Sequence, residues 1–301
     1  MTSKAPHFAG ETTDAVKIVL VEWAAYPPQR DKLVGQKVVR CGLGRMLQNM
    51  QRHDPGMPAE VLLVINAAPE PELDGSQTQG EPSQVQGFAG RWRSRMRSLL
   101  QLHAELRMAR RLRGYAQLPR RYPFVDEVHF RGNQGQDFGA YDLGYQLLQR
   151  QGYDGEVLFM KSSVAGPHRH GWLLEYRRQF RRHPDVGLCG IGLNSHDTSR
   201  EPSPFAPHVQ SYFLYTSMRV LQHALGERLF DWHDRVAPEQ QDKLEIIRHG
   251  EIGVSSRVLD AGYSITSPRF PEFVYRRGNA WSIPRGDLRY SPRYALPANT
   301  I

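Results

Sequence analysis

No stretch of this 301-residue sequence stays apolar over the roughly 18–20 residues that a bilayer-crossing helix needs. The first residues, Met1 to Val16, are polar and carry no apolar core of the kind a secretion signal has. Together these absences predict a cytoplasmic location. Cysteine is scarce, with only Cys41 and Cys189 present. They stand far apart, without partners at zinc-site spacing, so neither a disulfide framework nor a structural zinc site is indicated. Both read as buried, reduced thiols. Acidic residues are outnumbered, 31 Asp and Glu against 39 Lys and Arg, giving a net charge of +8. Such an excess suits an anionic partner: a nucleic acid, a nucleotide diphosphate or an anionic membrane surface. Nucleic acid is disfavoured because no zinc finger, RNA-recognition core or helix-turn-helix pattern accompanies the charge.

What the chain does have is alternation of strand and helix signals. Val16 to Trp23 is a short run rich in β-branched residues and reads as a buried strand. Lys37 to Gln51 places Val38, Val39, Leu43, Met46, Leu47 and Met50 at helical spacing. Glu60 to Asn66 reads as a second strand, so a βαβ unit and a parallel sheet are expected. Further on, Phe124–Phe130, Glu156–Met160, Val186–Leu193, His208–Leu214 and Tyr263–Thr266 read as extended. Asp137–Gln151, Trp172–Arg182, Ser217–Leu225 and Leu244–Gly262 read as helical, the last ending on a glycine C-cap. The expected fold class is α/β, a mostly parallel central sheet flanked by helices.

Residues 1–15 read as a disordered tail, 16–276 as one domain, and 277–301 as a Pro/Arg-rich C-terminal tail. Residues 68–88 are too polar to pack and read as a flexible loop. A basic helical insert spans 89–121, with eight arginines between Arg91 and Arg113. Its apolar residues Trp92, Met96, Leu99, Leu102 and Leu106 share one helical face. Such a helix either packs on the core with its charges solvated or lies on anionic lipid.

Four stretches hold candidate chemistry. Arg131 to Gly144 joins a strand to a helix, and its glycines permit tight turns close to a ligand. It places Asn133, Asp137 and a helix N-terminus where open α/β sheets bind ligands. No Gly-Lys-Ser/Thr follows, so it is not a phosphate loop of that type. The next strand ends in Lys161, Ser162 and Ser163, an ammonium and two hydroxyls suited to a phosphate. His168 and His170 follow; they read as solvated, with metal binding as the alternative. His208, Gln210 and Tyr212 alternate, so one strand face would carry them to a cleft. Glu251 follows Gly250 at an expected helix start, where the helix dipole favours its charge and where it could act as a base. Each stretch also has a plain structural reading: a turn, a solvated lysine, a half-exposed strand, a helix-start carboxylate.

In this order, Arg131-Gly-Asn-x-Gly-x-Asp-Phe-Gly-Ala-Tyr141, Ser162-Ser-Val-x-Gly-Pro167, Pro207-His-Val-Gln-Ser-Tyr212 and Glu251 with Ser255 and Gly262-Tyr263 form a pattern. The sequence resembles the rhamnan-synthesis F family of polysaccharide glycosyltransferases and, more distantly, family-2 glycosyltransferases with a GT-A fold. The resemblance covers residues 124–266. It implies a GT-A-like, Rossmann-like sheet that holds a nucleotide-sugar donor at its C-terminal edge. Asn66, Asn133, Asp137, Lys161, Ser162 and Ser163 would contact that donor, and His208, Gln210 and Tyr212 the acceptor or the cleft. Glu251 would be the base of an inverting transfer onto a glycan or lipid-linked glycan in bacterial surface polysaccharide synthesis, lipopolysaccharide included. The enzyme would then work at the inner face of the membrane. One departure stands out. GT-A enzymes carry Asp-x-Asp at the end of the fourth strand to hold a divalent metal, and here that place reads Met160-Lys-Ser-Ser163. No cofactor is therefore expected, although manganese or magnesium is left open. The alternative is a non-catalytic relative that binds nucleotide-sugar or glycan.

Overall fold

A computed structural model of the chain describes residues 15–26, 29–34, 37–67, 103, 105–197, 200–230 and 243–283. The expected loop at 68–88, the Arg91–Leu102 half of the basic insert and most of both tails lie outside them. The core is an eight-stranded sheet. Its centre is β1 (Val16–Trp23), whose Ile18, Val19, Leu20 and Val21 are all buried, as a strand covered on both faces must be. β4 (Ala59–Asn66) and β6 (Glu156–Lys161) pair with it in parallel on either side, and β5 (Val125–Arg131) extends the sheet beyond β4. On the other flank, β10 (Phe213–Ser217) runs antiparallel between β6 and β7 (Val186–Gly190). β11 (Ser264–Thr266) pairs in parallel with β7, and β12 (Val274–Tyr275) closes that edge. The order is β12-β11-β7-β10-β6-β1-β4-β5. This mixed, mostly parallel sheet with flanking helices is the expected α/β class and is compatible with a Rossmann-like GT-A fold.

The chain first builds outward from β1 to β4 and β5, then returns to lay β6 on the opposite side of β1. Such a reversal opens a crevice at the carboxyl ends of the strands, where open α/β sheets bind ligands. The short helix α2 (Leu118–Arg121) leads into β5, the long helix α3 (Gln136–Arg150) packs across β1 and β4, α4 (Trp172–Arg181) covers β7 and β10, and α5 (Met218–Leu225) follows β10. A two-stranded hairpin, β8 (Leu193–His196) with β9 (Phe205–Val209), stands beside the sheet. It rests on a continuous helical stretch made of α6 (Lys243–Ile246), a π-helical turn (Ile247–Ile252) and α7 (Gly253–Asp260).

Two expectations need correction. Lys37–Gln51 is not one helix: Arg30–Val34 and Lys37–Cys41 form the hairpin β2–β3, and α1 (Leu43–Arg52) starts only after Gly42. Gly42 has φ 106°, outside the helical region, and the β-branched pair Val38–Val39 before it favours the strand. His208–Leu214 is not one strand either. β9 ends at Val209, residues 210–212 turn, and β10 begins at Phe213. Gln210 and Tyr212 fold over Gly192, where any Cβ would sit 2.2 Å from the Gln210 amide oxygen, so they do not share a face with His208. Of the expected apolar face of the basic insert, only Leu106 lies among the described residues; it is 54% exposed, while Met108 and Leu112 are partly buried and Tyr115 is buried.

α3 approaches β1 closely because residue 144 is glycine. A Cβ there would lie 2.4 Å from Val19 Cγ1, and Val19 is a fully buried β-branched residue with little freedom to move. Gly144→Ala should therefore lose more by overpacking, about 1–3 kcal/mol, than the ~1 kcal/mol it gains in helix propensity. Urea unfolding should show a lower midpoint with an unchanged slope. A raised midpoint would mean that α3 stands off β1 further than the packing indicates.

Candidate active site

The crevice holds a cavity of about 310 Å³ at the carboxyl ends of β1, β4 and β6. Asn66, Asn133, Asp137, Lys161, Ser162 and Ser163, distant in sequence, all line it. Its framework is an arginine clamp. Arg131, the last residue of β5, donates to the side-chain Oδ1 of Asn66 at 2.9 Å and to the Gln134 backbone carbonyl at 2.6 Å. Asn66 in turn donates to the Gln136 carbonyl at 3.0 Å. These bonds hold Gln136 at φ 46°, a left-handed conformation that costs a non-glycine residue energy and so needs such over-determination. The amide of Asn66 is thus engaged in shaping the loop that presents Asn133 and Asp137.

Lys161 Nζ pairs with Asp137 Oδ2 at 2.5 Å across the cavity. The backbone around Lys161 is fixed: its N–H donates to the Tyr212 carbonyl, Ser162 N–H donates to the Val21 carbonyl, and Ser162 accepts from Gly42 N–H. A further carboxylate was overlooked in the sequence. Glu22, buried near the end of β1, accepts from the Trp23 N–H at 2.8 Å and from the Leu43 N–H at 3.0 Å. It serves the start of α1, whose first turn holds no acidic residue of its own. The available signal was a glutamate near the end of an otherwise apolar buried strand, which must find donors.

Glu251 lies within the π-helical turn, not at a helix start, so the helix-dipole argument does not apply to it. Its side chain is 14% exposed. Oε2 accepts the Ser211 N–H at 2.7 Å and Oε1 stands 3.5 Å from His208 Nε2. One turn on, Ser255 Oγ accepts the Val209 N–H at 3.1 Å. Two residues of the helix thus take up the backbone of the segment that joins β9 to β10. Tyr141 of α3 holds the same segment from the other side, donating to the Ser211 carbonyl at 2.8 Å. His208 is nearly fully buried, and its Nδ1 donates to the Ala206 carbonyl at 2.7 Å, which turns Nε2 toward Glu251 and Asn194. Burial would raise the Glu251 carboxyl, but His208, the Ser211 N–H and the Lys161 charge outweigh it and hold the group at about 2. His208, Gln210, Tyr212 and Glu251 do not line the cavity of the six donor-side residues; Ser211, bonded to Glu251, does.

The donor set does not fit a divalent cation. Glu22 and Glu251 are committed to backbone N–H groups, and Asp137 already has the Lys161 ammonium against it. Serine hydroxyls without a free carboxylate are poor ligands for magnesium or manganese, and a lysine beside them repels the ion.

The family described as Rhamnan synthesis protein F matches residues 113–267, just over half of the chain. The match runs from the helical segment before β5 to the end of β11, taking in Asn133, Asp137, Lys161, His208 and Glu251 but not Glu22 or Asn66. No curated protein matches the chain.

The geometry around Glu251 yields a test of its charge. His208→Phe removes the imidazole while leaving the carboxyl buried, so Glu251 should titrate higher. A depressed carboxyl contributes stability above its ordinary value of 4.5 and loses it as pH falls through about 2. In the variant that window moves up in pH. Carboxyl-carbon NMR titration of both proteins checks this; a glutamate still titrating near 2 in the variant would assign the effect to Ser211 and Lys161.

Proposed function

Because this chain belongs to the Rhamnan synthesis protein F family, a glycosyltransferase family of polysaccharide synthesis, we propose that it transfers a sugar from a nucleotide-sugar donor to a glycan or lipid-linked glycan, with inversion. The observation that carries the reading is the convergence of three strand ends and one loop on a single cavity, whose lining residue Ser211 is bonded to a largely buried, ionised carboxylate, Glu251. The donor diphosphate lies in the cavity, where Lys161 supplies fixed positive charge and Ser162, Ser163 and Asn133 supply hydrogen bonds. Glu251 takes the proton of the acceptor hydroxyl. The hydroxyl oxygen bonds to the anomeric carbon, the bond from that carbon to the diphosphate breaks, and the diphosphate leaves with the electron pair. A carboxyl held at about 2 is ionised throughout the physiological range but is a weak base. It therefore accepts the proton late, as the diphosphate departs.

Location belongs to the same reading. No described helix is long and apolar enough to cross a membrane. The exposed Leu106 beside Arg107 and Arg110 supports attachment of the basic insert to an anionic membrane face, where lipid-linked acceptors reside. The Lys161–Asp137 pair, charge-balanced without a ligand, favours the non-catalytic alternative, and hydrolysis of donor by purified protein decides between the two.

Glu251→Gln keeps an oxygen for the Ser211 N–H and removes the base. Transfer should fall about 10²–10⁴-fold, with donor affinity near wild type by calorimetry. Full activity in this variant would reduce Glu251 to an anchor of the Ser211 turn. Transfer should also survive exhaustive chelation with EDTA, while Lys161→Ala loses most of it. Activity that vanishes with EDTA and returns with manganese would instead give Asp137 the ion and Lys161 the wrong role.

A further inference from the structure

The β8–β9 hairpin carries a strip of side chains that leads away from Glu251 and that the transfer chemistry does not use. Its first member beyond His208 is Asn194, cross-strand partner of His208, with Nδ2 3.3 Å from the imidazole Nε2. Two residues along β8 comes His196, paired with Phe205 across an irregularity that shifts the register of the hairpin between Asn194 and His196. The His196 and Phe205 rings meet edge to face at 5.5 Å. Phe205 is 52% exposed, which is unusual for a phenylalanine in a strand. Beyond it stand Tyr275, 6.3 Å from Phe205 and itself buried, and the half-buried Trp281, 5.4 Å from Tyr275. The sequence thus runs from a carboxylate and an imidazole, through an amide and a second imidazole, to an aromatic shelf.

We propose that this strip is a carbohydrate subsite, holding an oligosaccharide acceptor chain beyond the sugar whose hydroxyl meets Glu251. It deepens the glycosyltransferase reading and rests on it for the direction in which the chain lies. Pyranose rings have an apolar C–H face and an equatorial rim of hydroxyls. The first stacks on an exposed aromatic face such as that of Phe205, and the second bonds to short polar groups such as Asn194 and His196. A single exposed ring among polar groups suits such a ligand better than a protein partner, which needs roughly 800 Å² of complementary surface on each side. Asn194 connects the strip to the candidate base through the buried His208, so a chain seated on the strip is directed toward Glu251. Long acceptors should therefore gain affinity from Phe205, and short ones should not.

The test is saturation-transfer NMR on the full chain with three probes: a rhamnose tetrasaccharide, methyl rhamnoside, and dTDP or UDP for the donor cavity. Phe205→Ala, a change at an exposed side chain, should weaken the tetrasaccharide about ten-fold, the loss of one aromatic contact. Phe205→Trp should restore it, and nucleotide binding should be equal in all three proteins. Equal tetrasaccharide affinity in wild type and Phe205→Ala, or none in wild type, overturns the subsite. So does a change of molecular mass by light scattering in Phe205→Ala, which would mark the shelf as a contact between two copies of the chain. Phe205-dependent binding of the tetrasaccharide without nucleotide binding or donor hydrolysis supports the subsite and strikes the transfer reading alone.

Discussion

Two backbone N–H groups on the segment between β9 and β10 end on side chains of one helix, Val209 on Ser255 and Ser211 on Glu251. The rest of the candidate site depends on this docking. The segment crosses from the end of the side hairpin back into the main sheet, and the N–H groups that no strand takes up there need side-chain acceptors. Ser255 and Glu251 are four residues apart and so lie on one helical face, at the spacing that meets two N–H groups two residues apart in an extended chain. The bond to Glu251 joins a charged acceptor to a backbone donor, a stronger type than a neutral pair. Losing it would free Ser211, and with it the Tyr212 carbonyl that holds Lys161 N–H at the end of β6. Carboxylate, turn and lysine are therefore one unit, and a change in any of them reaches the others through a single peptide.

Charge in the cleft is arranged in short alternation. Asp137 faces Lys161, Lys161 bears on Glu251, and Glu251 faces His208. A cavity so balanced presents little net field to a distant anion, although the whole chain carries +8. A diphosphate entering it must share Lys161 with Asp137 or draw it away. The second course would leave Asp137 with an uncompensated charge beside an anion, which is unfavourable in a partly enclosed site. Sharing is the cheaper arrangement, with Lys161 bridging carboxylate and phosphate through its three donors. That bridging suits a lysine, a compact charge with rotatable donors, better than an arginine with a fixed fork.

The sheet was legible because buried parallel strands leave continuous apolar runs. Val16–Trp23 coincides with β1, and the first strands of both halves lie within a residue or two of where their β-branched content placed them. The misreadings have a common physical cause. At Val38–Val39 a short apolar run satisfied both the helical and the extended period, and only the backbone angle of Gly42 decided between them. At His208–Leu214 alternation was real in sequence but was broken by a turn whose stability comes from outside, from Glu251, Tyr141 and Gly192. Glu22 and the bonding role of Arg131 escape the sequence for a similar reason. Their roles are to satisfy backbone groups on other elements, which leaves no spacing signature in one chain segment.

The π-helical turn at Ile247–Ile252 is where these constraints meet. The helix must pass close to α3, and it does so at Gly250, where a Cβ would come within 2.4 Å of the Phe138 ring. It must also present Glu251 to Ser211 on the side that faces β9. A regular α-helix turns 100° per residue, so fixing the close approach at residue 250 also fixes the direction of residue 251. Widening one turn to π geometry changes that phase locally without ending the helix. Gly250 then meets Phe138, Glu251 meets Ser211 and His208, and Ser255, back in regular helix, still reaches Val209. The same Phe138 stacks on Phe230, next to Leu229, and the N–H groups of both those residues end on the buried carboxylate of Asp142, one turn along α3. The phase of the helix is thus tied to α3 on one face and to the hairpin on the other, and the position of the carboxylate follows from packing on both sides rather than from the helix alone.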